Sequence, residues 1–418
     1  QHDHVLLLVL PHITSDGWSM IILCRELVPL YDSLLHGRPC PLPDLPIQYA
    51  DYAVWQREWL QGDVLDRQLS YWRRTLAEIS DLNLPTDRGR PALPSFRNGA
   101  QSAKYPQRLT DQLNDLARTE RTTLFMTLLA AFNALLYRYT GQDDIAVGCP
   151  IANRQYVELE GLIGFFANTL VFRNSVSANP TFRDLLARVR KVALGAFEHQ
   201  DVPFEKLVEE LQSERDLSRN PLFQVTFQLR NYPSQLVQPP ELTVEPFELH
   251  SGIAKFDLSL AMSTEMDGLK AEIEYNPDLF ESATITRMLS HFQTLLEGIT
   301  TSPEQRISKL PILAEAEKHQ LLVEWNDTKS GYPQDNCIHQ LFEAQVEKTP
   351  DAIAVVFADL QLSYRELNRR ANQLAHYLRK LGVGPDTLVA LCVERSIEVA
   401  VGLLALLKAG GAYVPMGP

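Results

Sequence analysis

Pro11-His12-Ile13-Thr14-Ser15-Asp16-Gly17-Trp18-Ser19 joins two segments of different character. Before it, residues 5–10 form a continuous aliphatic run, the pattern of a buried strand. After it, apolar residues recur at helical spacing from 18 to 35, until Gly37 ends the pattern. A loop between a strand and a helix presents its side chains from a rigid support. Histidine is the side chain whose ordinary charge change falls nearest neutral pH, so His12 is a candidate to accept a proton from a reacting group. Asp16, at the helix start, suits the positive end of the helix dipole and is placed to pair with an arginine that holds the loop. Gly17 lets a ligand approach the backbone closely.

Working outward, residues 49–60 and 65–76 read as helices rich in Trp and Tyr, and the prolines at 85–94 mark a connection. Two amphipathic helices fit 110–139, with a break at 119–123, a stop at Gly141 and an apolar strand over 145–151. A further helix fits 182–197. Three segments then alternate with period two, as half-buried strands do: Phe223, Val225, Phe227, Leu229; then Phe256, Leu258, Leu260, Met262; then Leu269, Ala271, Ile273, Tyr275. The pattern weakens into a helix-containing linker over 302–332. A new unit follows, with strands at 353–357, 388–393 and 412–415 alternating with helices at 364–381 and 398–407, as in a layered α/β fold. Ser363 and Glu366 have the spacing of a capping box, and Gly382 closes that helix.

The chain has 418 residues, 45% hydrophobic and 22% charged, so it can bury sizeable cores and is expected to hold more than one domain. A net charge of −13 without a basic stripe excludes a nucleic-acid binder held by clustered cations. Cys24, Cys40, Cys149, Cys337 and Cys392 are scattered, which excludes a zinc knuckle or a disulfide framework and points to a reducing cytoplasm. His2 and His4 alternate without a third ligand, so no metal site is expected. No apolar run approaches the ~20 residues of a membrane span, and no signal peptide precedes residue 5. The opening at Gln1 rather than Met reads as a fragment.

His12 through Gly17 resembles the H-H-x-x-x-D-G motif of the condensation domains of non-ribosomal peptide synthetases, with Pro11 at the first His. Four further stretches resemble motifs of that family in the same order: Tyr49-Ala50-Asp51-Tyr52-Ala53-Val54-Trp55-Gln56; Ile163-Gly164-Phe165-Phe166-Ala167-Asn168-Thr169-Leu170; His199-Gln200-Asp201-Val202-Pro203-Phe204-Glu205; and Arg215-Asp216-Leu217-Ser218-Arg219-Asn220-Pro221-Leu222-Phe223-Gln224. Near the end, Leu362-Ser363-Tyr364-Arg365-Glu366-Leu367-Asn368 and Leu407-Lys408-Ala409-Gly410-Gly411-Ala412-Tyr413-Val414-Pro415 resemble the first two core motifs of adenylation domains.

The resemblance implies an α/β (α+β) chloramphenicol-acetyltransferase-like fold, two lobes in a V around a tunnel, with the N-terminal lobe incomplete and the first α/β units of an adenylate-forming domain behind it. The corresponding division is 1–90 for the end of the first lobe and the lobe connection, 91–301 for the second lobe, 302–334 for a linker and 335–418 for the start of the adenylation domain. Carrier domains would bring phosphopantetheine arms to opposite tunnel mouths, and an amine on one would attack the thioester on the other. His12 would orient or deprotonate the amine, the Gly17 N–H would face the oxyanion, and Arg154 would pair with a structural Asp16. Trp18 and Asn168 correspond to channel positions; core packing for Trp18 and the cap of a strand end for Asn168 are the alternatives. His199, Asp201 and Glu205 are expected to be scaffold. No cofactor is expected to bind tightly, ATP and Mg belonging to a complete adenylation domain, and the stretch alone is expected to be inactive. An Asp at position 12 would be needed for heterocyclisation. A coenzyme-A-dependent acyltransferase and a non-catalytic carrier-docking platform remain the other readings.

Overall fold

The computed structural model describes residues 4–93, 95–211, 219–230, 243–244, 253–331 and 335–417. His2, and residues 215–218 of the last condensation-like stretch, lie outside the described residues. The chain divides into two units, Gln1–Glu324 and Trp325–Pro418.

The first unit opens with a 3₁₀ turn, His12–Thr14, followed by three helices: α1 (Gly17–Leu35), α2 (Tyr49–Trp59) and α3 (Gly62–Thr75). An irregular connection leads to β1 (Gly99–Pro106), α4 (Gln107–Thr119), α5 (Leu124–Thr140), β2 (Asp144–Ile151), the short α6 (Val157–Glu160) and β3 (Asn168–Ser175). Then come α7 (Phe182–Glu198), α8 (Phe204–Leu211), β4 (Val225–Arg230), β5 (Leu258–Glu265), β6 (Gly268–Tyr275), α9 (Ser282–Thr301) and α10 (Glu315–His319).

The six strands form one open mixed sheet in the order β1-β6-β5-β4-β2-β3. The β1/β6, β6/β5 and β2/β3 pairs are antiparallel; β4 runs parallel to both β5 and β2. Helix α5 packs against α7 and α9 and is buried from Met126 to Leu136, which is why its sequence is apolar on every side rather than along one stripe. Thr123 caps its start by accepting from the Met126 N–H, and Gly141, at φ +71°, ends it in the left-handed conformation that glycine adopts without strain. The period-two segments form the adjacent strands β4, β5 and β6. However, β4 is buried at Val225, Thr226 and Phe227 in succession, because a central strand is covered on both faces. Phe223 and Phe256 precede their strands and stack on each other at 5.4 Å.

Residues 5–10 correct the expectation of a buried strand. They belong to no sheet, with Val5 81% and Leu10 44% exposed. Aliphatic composition creates a demand for burial without supplying a partner, and none of the described strands pairs with this run. Strands β1 and β3 escape the periodicity reading. The first, Gly-Ala-Gln-Ser-Ala-Lys-Tyr-Pro, has almost no β-branched or large apolar residues and is defined by its pairing with β6.

Residues 303–317, inside the expected linker, pack on the first unit. Arg138 donates to the Ile307 and Leu310 carbonyls at 3.1 and 2.7 Å, and His291 stands 2.8 Å from Glu317 while its other ring nitrogen meets the Tyr139 hydroxyl.

The second unit contains α11 (Ile338–Lys348), the hairpin β7 (Ile353–Phe357) and β8 (Leu360–Ser363), α12 (Tyr364–Lys380), β9 (Leu388–Cys392), α13 (Ile397–Ala409) and β10 (Ala412–Met416). The parallel β9/β10 pair joined through α13 is a βαβ crossover. Half of the expected capping box forms: Ser363 accepts from the Glu366 N–H, whereas the Glu366 carboxylate pairs with Arg369 and Arg370. Lys408 is buried and donates to Glu343, Asn368 and Asn372, tying α13 to α11 and α12.

Candidate active site

The site is a crossing of two loops, residues 11–19 and 164–168. Pro11 fits the first without strain: its φ of −60° is the value its ring imposes, and its carbonyl accepts from the Thr14 N–H and hydroxyl at 3.0 and 2.8 Å. His12 Nδ1 lies 2.8 Å from the Ser15 carbonyl. A carbonyl only accepts, so Nδ1 carries the proton and Nε2 of a neutral ring keeps its lone pair. The ring meets Phe165 in a T-shaped contact at 4.9 Å and is otherwise exposed.

Asp16 is the N-cap of α1 and is buried. Its Oδ1 accepts from the Ser19 N–H at 2.8 Å, the Ser19 hydroxyl at 2.7 Å and Arg154 Nη2 at 3.3 Å; its Oδ2 accepts from the Phe166 and Ala167 N–H groups at 3.0 and 3.2 Å. Burial pushes this carboxyl up, but the bonds from Ser19 and Phe166, with the Arg154 charge, outweigh it and hold it below the usual aspartate range. Arg154 also donates to the Leu159 and Leu162 carbonyls and to Ser19 Oγ, and lies 4.1 Å over the Phe166 ring. Burial lowers its pKa, opposed by Asp16.

Ser19, to which the sequence reading gave no role, is the hub of the crossing. Its hydroxyl lies 2.7 Å from Asp16 Oδ1, 3.0 Å from Arg154 Nη2, and 2.8 and 3.1 Å from the Gly164 carbonyl and N–H. The signal was present: a serine three residues after an N-cap aspartate lies within the cap's reach. Tyr49 closes the second loop from outside, its hydroxyl donating to the Phe165 carbonyl at 2.9 Å. A Cβ on Gly164 would stand 2.1 Å from the Tyr49 ring, so any larger residue here must displace that ring or the loop.

Gly17 is the first residue of α1, where backbone N–H groups have no partner within the helix. Trp18 is half-buried, and its indole N–H donates to the Glu160 carbonyl at 3.0 Å. Asn168 is buried and fully engaged: its amide donates to the Gln200 and Val202 carbonyls, each at 2.8 Å, and its oxygen accepts from the Thr169 and Phe204 N–H groups at 2.8 and 3.0 Å. That is the geometry of a strand-end anchor. His199 stacks on Tyr71 at 4.0 Å and Asp201 accepts from Gln68 and Gln155, so these two do not converge with His12. Among the described residues no group of three or more His, Cys, Asp or Glu could hold a metal, and no helix is long and apolar enough to cross a membrane.

A helix-start aspartate is thus locked by a distant arginine beside an exposed histidine. The chain belongs to the condensation-domain family, whose model matches residues 1–322; residues 342–418 match the model of the AMP-binding enzymes. It is 53% identical to a linear gramicidin synthase protein of Brevibacillus parabrevis over 420 residues, spanning 100% of this chain and 8% of that relative. A four-domain nonribosomal peptide synthetase solved in its holo form with AMP and glycine superposes with a TM-score of 0.77 at 25% identity, over 97% of this chain and 31% of its own. The X-domain from teicoplanin biosynthesis superposes with a TM-score of 0.66 at 32% identity, over 72% and 70%.

Proposed function

We propose that the chain joins a carrier-bound acyl or peptidyl thioester to the amine of a carrier-bound aminoacyl thioester, with His12 as the group that orients or deprotonates the amine. The observation that carries this reading is the saturation of Asp16. The Ser19, Phe166 and Ala167 N–H groups and Arg154 donate to its two oxygens, and the Ser19 hydroxyl proton is shared between Oδ1 and the Gly164 carbonyl, so it has no lone pair suited to a substrate proton. His12 Nε2 is then the one titratable position left open on the loop. The Gly17 N–H, at the positive end of α1, faces the oxyanion that forms as the amine attacks the thioester carbonyl. Asp16 and Arg154 hold the loop, Asn168 holds the floor behind it, and Trp18 borders the acceptor side. Two arms confined in one channel turn a bimolecular aminolysis into a nearly unimolecular step, worth up to about 7–11 kcal/mol in ideal cases.

The phosphopantetheine arms arrive on carrier domains as part of the substrates, and the rest of the synthetase is the partner. ATP and Mg serve the activity of a complete adenylation domain, whose start we place at 335–418 behind a second lobe at 91–301. The setting is the cytoplasm.

The test is His12→Ala in a complete synthetase carrying this chain, with donor and acceptor carriers loaded. Loss of dipeptide formation with intact carrier binding supports the reading; undiminished dipeptide removes His12 from the mechanism. Transfer from free coenzyme A thioesters would favour a free-standing acyltransferase instead, and carrier binding without product in the unmutated protein a docking platform.

A further inference from the structure

We infer that Phe165 is a positioning residue for the His12 imidazole, kept in place by the Tyr49 hydroxyl. The inference rests on the role proposed for His12. The single hydrogen bond from Nδ1 to the Ser15 carbonyl fixes one corner of the ring and leaves it free to swing about that bond, carrying Nε2 with it. The Phe165 ring opposes the swing. It meets the imidazole at a centroid distance of 4.9 Å and an interplanar angle of 76°, the edge-to-face arrangement that aromatic pairs favour.

Phe165 can act as a stop because its backbone is clamped on every side. Gly164 is bonded through both N–H and carbonyl to Ser19, the Phe166 N–H is bonded to Asp16, and the Phe165 carbonyl accepts from Tyr49. Burial and the nearby Asp16 charge raise the Tyr49 pKa, which keeps this phenol a donor. The two adjacent phenylalanines have separate tasks. Phe166 is buried with Tyr52, Leu159 and Leu162 and covers Arg154. Phe165 is half-buried and turned to the imidazole. The loop whose amides satisfy Asp16 Oδ2 is therefore also the loop that aims His12, and the two functions meet at neighbouring residues.

The test measures the single-turnover rate of dipeptide formation across pH in a complete synthetase carrying this chain, both carriers loaded, alongside the unfolding temperature. Phe165→Leu, similar in bulk but without a ring, is expected to lower the rate about tenfold or more at every pH with unfolding unchanged, since small misplacements of a reacting group carry penalties up to about 10²-fold. Phe165→Tyr should restore most of it, and Tyr49→Phe, which keeps the ring against Gly164 but loses the hydroxyl, should fall between. An undiminished Phe165→Leu rate beside an inactive His12→Ala overturns this inference alone. A rate loss that tracks a lowered unfolding temperature overturns it in favour of a packing role. Undiminished transfer by His12→Ala overturns both readings.

Discussion

Arg154 Nη2 lies 3.3 Å from Asp16 Oδ1 across 138 residues of chain, and each side chain is only 2% exposed. A pair so placed is a lock between loops, because neither charge has water to fall back on if the other is removed. Arg154→Met should therefore destabilise the first unit by about 3–5 kcal/mol, much of it from stranding the carboxylate. Denaturant unfolding measures this. A change below about 1 kcal/mol would show that the surrounding amides suffice.

The same pair sets an acid limit. The folded-state pKa of Asp16 is held below its unfolded value, so its contribution is present above the ordinary aspartate range near ~3.9 and is lost as pH falls through the lowered value. Unfolding free energy followed from neutral pH downward should drop less steeply below about pH 4 in Asp16→Asn than in the unmutated chain. Equal slopes would place the acid sensitivity elsewhere.

Gly164→Ala tests the contact between the second loop and α2. The added methyl would meet the Tyr49 ring at 2.1 Å, so ring or loop must shift, with a loss of about 1–3 kcal/mol. Combining it with Tyr49→Ala, which empties that space, should recover part of the loss; strict additivity in the double-mutant cycle would deny the contact.

Asn168→Ala removes two donors from the Gln200 and Val202 carbonyls and an acceptor from the Thr169 and Phe204 amides. Buried groups left unpaired cost about 1–3 kcal/mol each, softened where the loop relaxes. Faster hydrogen exchange at the Phe204 and Thr169 amides is the expected outcome. Unchanged exchange with altered transfer kinetics would return Asn168 to the channel.

Most helices were legible because their evidence is local. Thr123 and Gly141 bracket α5, and Ser363 and Gly382 bracket α12, within a few residues of the patterns they terminate. Strands depend on partners. Hence residues 5–10 looked like a strand by composition and lie outside the sheet, while β1, poor in strand formers, joins it. The first motif likewise named His12 and Asp16, and the family resemblance named Arg154, yet Ser19, Tyr49 and Phe165 stood inside quoted stretches without roles.

By itself the sequence determined the limits of helices bracketed by local signals, such as α5 and α12, and the residue types at the site, because capping, periodicity and motif spacing act within a few residues; α9 (Ser282–Thr301) escaped that reading. Only the tertiary structure decided that Asp16 is saturated and His12 left open. Burial and hydrogen-bond satisfaction are properties of the space between loops 11–19 and 164–168, which about 145 residues of intervening chain separate.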